Sequence, residues 1–134
     1  PEPGKRPLSS MSPTILLTPD GLPFMAVGSA GGWRIITAIS QIIMNAIDYG
    51  MGMGAAIQHP RIFSYSIGGK PSPFLVEKGL PEFTLEVLRF YGQKVDERDY
   101  GDYFGTAQGI LFDHKKGSLN GGADPRRLGV PVGF

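Results

Sequence analysis

The sequence predicts a layered α/β domain with a largely antiparallel sheet. Three observations carry that prediction. Two pairs of short apolar runs are each separated by a turn signal, Thr14–Thr18 with Phe24–Val27 and Ala107–Phe112 with Leu119–Ala123. The run from Arg34 to Tyr49 repeats isoleucine and alanine at helical spacing. Strand-like and helix-like runs alternate along the chain, which is the pattern of helices packed on a sheet.

Each element follows from local chemistry. Between Thr14–Thr18 and Phe24–Val27 stands Pro19-Asp20-Gly21, residue types that turn the chain, so the two runs read as a β-hairpin. Gly28-Ser29-Ala30-Gly31-Gly32 then reads as a strand-to-helix turn. In the helix that follows, Ile35, Ile39, Ile42 and Ala46 share one face, with Ile36, Ile43 and Ile47 beside it. So wide an apolar face predicts burial between layers, and Gly50 supplies the stop. A short helix over Gly54 to His59 ends at Pro60, which cannot continue it. Arg61–Tyr65, Phe74–Glu77 and Gln93–Glu97 read as strands and Ile67–Pro73 as a loop. Pro81 opens a helix through Phe90, whose apolar face is expected at Phe83, Val87 and Phe90 with Leu88. Asp99–Phe104 reads as a loop, Asp113–Gly117 as the turn of the last hairpin, and Asp124–Phe134 as an irregular tail.

Composition narrows the function. The chain has 134 residues, 41% hydrophobic and 19% charged, enough apolar material for a core. Glycine and proline number 20 and 12, but they cluster at turns, which indicates an ordered, loop-rich domain. Thirteen basic residues balance 12 acidic ones for a net charge of +1, so there is no field that argues for nucleic acid. The basic groups Lys5-Arg6, His114-Lys115-Lys116 and Arg126-Arg127 read as solvated surface. The lack of cysteine excludes disulfides and thiolate metal sites. No apolar run reaches membrane-spanning length, and nothing reads as a signal peptide. Pro1 to Pro7 reads as the middle of a loop, so a preceding segment is expected.

Four groups could carry chemistry. Adjacent hydroxyls in Leu8-Ser9-Ser10-Met11-Ser12 can offer O–H and N–H donors to a carboxylate, although on composition alone a polar loop with side-chain-to-backbone bonds is the better account. Paired glycines at Gly31 and Gly32, ahead of a helix, can aim backbone N–H groups at an oxyanion; a tight turn explains them as well. Their spacing fits no nucleotide-binding fingerprint, and Ser29 lacks the frame of a nucleophile elbow. Arg34, a cation in the first helical turn, opposes the helix dipole and suits a neighbouring carboxylate or bound anion. His59 and His114 stand alone without metal-ligand spacing, and Asp99, Asp102 and Asp113 read as turn residues. No metal or other cofactor is implied.

Together these segments resemble the γ-glutamyltransferase (γ-glutamyltranspeptidase) family. Arg6-Pro7-Leu8-Ser9-Ser10-Met11-Ser12-Pro13-Thr14 is similar to that family's PLSSMSPT segment, and Gly28-Ser29-Ala30-Gly31-Gly32-Trp33-Arg34-Ile35-Ile36 to its GSPGGSRII segment. His59-Pro60-Arg61, Tyr91-Gly92-Gln93-Lys94-Val95 and Ala123-Asp124-Pro125-Arg126 resemble its APR, GQKV and DPR stretches, so the resemblance runs the length of the chain. Ala30 stands where proline is usual and Trp33 where serine is common; Trp33 either narrows the site or packs against the neighbouring layer, and packing is the expected case.

The resemblance implies a four-layer αββα N-terminal-nucleophile hydrolase. Its precursor cuts itself into large and small subunits, and the exposed threonine attacks a γ-glutamyl amide such as that of glutathione. Ser9 and Ser10 would bind the substrate's α-carboxylate, and the Gly31 and Gly32 N–H groups would hold the oxyanion. The nucleophilic threonine would lie outside this chain, since Thr14 and Thr18 sit within a strand run. This chain would then be the C-terminal portion of the small subunit, inactive and unstable alone. Its partners would be the large subunit and the rest of the small one, in a periplasmic, secreted or cell-surface setting. Other readings are an acylase or poly-γ-glutamate hydrolase on the same scaffold, a non-catalytic binding paralogue, and an enzyme using Pro1 as its base, which the prolines of Pro1 to Pro7 disfavour.

Overall fold

A computed structural model describes residues 2–9, 11–67 and 70–133. In chain order the elements are β1 (Thr14–Leu17), β2 (Pro23–Ala30), α1 (Arg34–Ile47), α2 (Met53–Gln58), β3 (Ile62–Phe63), β4 (Ser66–Ile67), β5 (Lys70–Pro71), β6 (Phe74–Glu77), α3 (Glu82–Phe90), β7 (Val95–Arg98), β8 (Thr106–Asp113) and β9 (Ser118–Ala123). The main sheet is antiparallel in the order β1-β2-β8-β9. A second sheet runs β3-β6-β7, and its β6–β7 pair is parallel with α3 as the crossover. The expected hairpins are both present.

The first turn is stapled by Thr18. Its N–H reaches the Leu22 carbonyl at 2.8 Å, its hydroxyl donates to the same carbonyl at 3.1 Å, and it accepts from the Leu22 N–H at 3.0 Å. The strand that follows runs further than the sequence suggested. Gly28, Ser29 and Ala30 pair with Gln108, Ala107 and Thr106, so only Gly31 and Gly32 make the turn.

Helix α1 lies across one face of the main sheet. Ile35, Ala38, Ile39, Ile42 and Ala46 are buried there, as the periodicity predicts, against Met25 and Val27 of β2 and Ala107 of β8. Each fully buried isoleucine contributes about 1.5–3 kcal/mol. The chain then reverses at Gly50, and the Met51 N–H returns to the Asn45 carbonyl at 3.0 Å.

Helix α2 sits almost on the sheet backbone. Gly109 and Gly122 are cross-strand partners beneath it, and a Cβ on Gly122 would lie 2.8 Å from the Met53 carbonyl carbon. Asn120 of β9 accepts the Met53 N–H at 2.7 Å, satisfying a free donor of that helix start. The opposite face of the main sheet presents Ile15, Ile110 and Leu119 to solvent.

The apolar face of α3 differs from the prediction. Leu85 is the buried residue, 3% exposed, with Val87 and Leu88 half-buried, whereas Phe83 and Phe90 are 74% and 85% exposed. Phe83 and Leu85 are about 200° apart around a helix, so the period was right and the phase wrong. The strand expected over Arg61–Tyr65 shortens to β3.

Candidate active site

Antiparallel register gathers the motifs at one end of the main sheet. Thr14 pairs with Val27, Ala30 with Thr106 and Gln108 with Ala123. The segment entering β1, the glycine turn leaving β2, Gly105 entering β8 and Asp124 leaving β9 therefore meet at the same edge. Residues far apart in sequence form one rim.

The turn itself is tight. Gly31 and Gly32 have φ of +146° and +59°, a region that L side chains rarely adopt. A Cβ on Gly31 would lie 2.8 Å from the Gly105 Cα, so the two backbone segments touch. The Gly31 and Gly32 carbonyls accept from the Arg34 and Ile35 N–H groups at 3.3 and 3.1 Å, starting the helix. Their own N–H groups have no acceptor among the described residues. Ser29 braces the rim by donating its hydroxyl to the Thr106 carbonyl at 3.0 Å.

Behind the turn lies a buried ionic network that the sequence reading did not assign. The Arg61 guanidinium donates to the Gly105 carbonyl at 2.8 Å, the Ile57 carbonyl at 2.9 Å and Asp124 Oδ2 at 2.7 Å. Asp124 Oδ2 also accepts the Ala107 N–H at 2.8 Å, and Oδ1 accepts the Arg126 N–H at 3.1 Å and its guanidinium at 3.0 Å. Arg126 donates to both carboxylate oxygens of Glu77, including a short contact at Oε2, and its face covers the Tyr100 ring. All four charged side chains are almost completely withdrawn from water.

The network charges balance, and that decides their states. Burial alone would raise the Asp124 carboxyl, but the Arg61 charge and the N–H donors outweigh it and hold it below its ordinary range. Burial, reinforced by Arg126, lowers Arg61, whereas Glu77 keeps Arg126 above its usual value despite burial. Arg61 thus fixes Gly105, and Gly105 abuts Gly31.

Two expectations are corrected here. Arg126 is buried, not solvated, because Glu77 and Asp124 satisfy it; only Arg127 of that pair faces outward, 3.4 Å from Asp102. The tail from Asp124 is irregular as expected, yet Asp124 and Arg126 reach the interior. The only sequence signal was that these residues and Arg61 fall in family-like stretches; a pairing across 63 residues has no local period.

The other predicted residues are placed as follows. Ser9 is exposed, and Ser10 lies outside the described residues, as does Pro1. Thr14 is paired in β1 and Thr18 serves the hairpin turn. Asp113 accepts the Lys115 and Lys116 N–H groups, and Asp99 pairs with Lys78 at the surface. His59 and His114 each face a backbone carbonyl. Trp33 is 63% exposed, touching Tyr65 edge-on at 6.4 Å and packing under no neighbouring layer of this chain. Arg34 has no acidic partner among the described residues; its guanidinium lies 3.9 Å from the Tyr103 ring centroid.

A helix layer on a mostly antiparallel sheet, with paired glycines at the sheet's end, is an arrangement this chain shares with solved N-terminal-nucleophile hydrolases of the γ-glutamyltranspeptidase kind. Comparison with known proteins gives the particular lineage. The family model for gamma-glutamyltranspeptidase matches residues 1–134, and the chain belongs to that family. It is 40% identical to the glutathione hydrolase proenzyme of Bacillus subtilis over 133 residues, covering 99% of this chain and 22% of that protein. Against the glutathione hydrolase proenzyme of Escherichia coli it is 42% identical over 126 residues, 94% of this chain and 20% of that one. A mutant gamma-glutamyltranspeptidase from Helicobacter pylori superposes with a TM-score of 0.78 at 36% identity, covering 94% of this chain and 66% of its own. The chain thus spans about a fifth of the length of these proenzymes.

Proposed function

We propose that this chain is the C-terminal portion of the small subunit of an enzyme that cleaves or transfers γ-glutamyl amides of the glutathione kind. Family membership and the partial coverage of the proenzymes support that placement. The observation that carries the catalytic reading is the Gly31–Gly32 turn, two glycines at positive φ whose N–H groups have no acceptor among the described residues, at the end of the sheet where the family-like serine segment enters. In this reading the nucleophilic threonine, outside this chain, adds its hydroxyl oxygen to the γ-carbonyl. The carbonyl oxygen becomes an oxyanion between the Gly31 and Gly32 N–H groups, whose charge-dipole attraction grows as the charge develops. Collapse expels the amine, which takes up the proton that the threonine lost. Water or an acceptor amine then cleaves the acyl-enzyme by the reverse sequence. Ser9 and Ser10 would anchor the α-carboxylate, which fixes the γ-carbonyl over the hole. The large subunit and the rest of the small subunit complete the site.

The test is aniline release from a γ-glutamyl anilide by the intact, self-cleaved gene product, with and without a dipeptide acceptor. Release accelerated by the acceptor is expected. A correctly cleaved protein that releases none refutes the reading.

A further inference from the structure

Arg34 is the one buried-edge cation near the turn that the mechanism above does not use. Its guanidinium stacks over Tyr103 at 3.9 Å and lies 5.3 Å from the Phe63 ring centroid. It makes no ion pair with a described residue, and its buried Nε, like that of Arg61, has no hydrogen-bond partner among the described residues. The two buried arginines among the described residues, Arg61 and Arg126, are paired with carboxylates, whereas the half-buried Arg34 is not. Arg34 also opens the helix that Gly31 and Gly32 start, where the dipole disfavours a cation. An open cavity of about 370 Å³ adjoins it, lined by Gly32, Trp33, Arg34, Phe63 and Tyr65.

Stacking holds the guanidinium by its face and leaves its edge free. That edge presents N–H groups in a planar fork matched to a carboxylate. Trp33 and Tyr65 offer flat apolar walls beside it, suited to the carbon skeleton of an amino acid or short peptide. The cavity shares Gly32 with the oxyanion turn, so a group bound there lies next to the scissile bond. We infer that Arg34 and its aromatic neighbours form a subsite for the carboxylate of the amine partner, both the amino acid or peptide that leaves and the one that accepts. This rests on the γ-glutamyl reading. It adds the residues on the far side of the bond, Arg34 with Trp33 and Tyr65, that recognise the amine partner by its carboxylate.

The test compares γ-glutamylglycine with γ-glutamylglycinamide, identical except for that carboxylate, using the full self-cleaved protein. Because the ratio of kcat/KM is taken within one preparation, the fraction of active enzyme cancels. A charge-assisted contact predicts a preference for the carboxylate of roughly 10- to 100-fold. Arg34→Met should bring the ratio to about 1, and Arg34→Lys, which keeps charge but loses the fork, to an intermediate value. Equal kcat/KM for the two amides in the wild type overturns the subsite by itself, even where Arg34→Met fails to mature. So does a preference that survives Arg34→Met. No turnover of either amide overturns the γ-glutamyl reading and this inference together.

Discussion

Replacing Asp124 with alanine tests the buried network most directly. The carboxylate receives four hydrogen bonds, from Arg61, the Ala107 N–H, the Arg126 N–H and the Arg126 guanidinium. Two guanidiniums and two carboxylates are balanced in the wild type; the variant leaves two cations sharing Glu77 alone. Removing one partner of a buried ion pair costs about 3–5 kcal/mol. The orphaned Ala107 N–H, an unsatisfied buried donor, pushes the loss toward the upper end. The loss in the intact protein, read as the shift in urea midpoint multiplied by the measured slope, should therefore be about 3–5 kcal/mol. Asp124→Asn keeps the shape and part of the hydrogen bonding, so its loss should be smaller. A loss below about 1 kcal/mol for Asp124→Ala, at unchanged slope, would refute the claim that this carboxylate holds the two arginines in place.

Three further outcomes follow from the same geometry. Gly31→Ala sets a Cβ against Gly105 at a φ few L residues adopt, so kcat for the γ-glutamyl anilide should fall about 10²-fold or more with KM little changed; a variant with full kcat would disconnect this turn from catalysis. The Asp124 carboxyl titrates lower folded than unfolded, so the unfolded chain binds the extra proton as pH falls. Stability from this group is complete above about pH 5 and is lost progressively below about pH 4, a loss that urea midpoints at pH 3 and 6 should register and that Asp124→Ala should diminish. Leu85→Ala should cost about 2–5 kcal/mol by opening a cavity under α3. A change below 1 kcal/mol would mean that the helix packs on another face.

What was legible in the sequence depended on whether the cause was local. The hairpin around Pro19-Asp20-Gly21 and the buried stripe of α1 follow from turn chemistry and period, and both are present. The phase of α3 was not legible, because Phe83 and Phe90 are as helically spaced as the residues that face β7, and large aromatics outweighed Leu85. The glycine turn was located within three residues; sheet pairing extended β2 through Gly28-Ser29-Ala30, and pairing partners in β8 are set by register far down the chain. The roles of Arg61, Glu77, Asp124 and Arg126 were hidden for the same reason. Charge reads as solvent exposure unless a partner of opposite sign is known, and here the partners come from three separate stretches of the chain.

The placement of Asp124 has a consequence for biosynthesis. Arg61 steadies Gly105, and through it the turn at Gly31, yet the carboxylate that neutralises Arg61 is added to the chain 63 residues after Arg61 itself. A nascent chain that has not reached Asp124 carries an arginine it cannot bury and so a loosely held rim. The rim formed by Gly31 and Gly105 is thus tied to residues that synthesis adds later, up to Arg126.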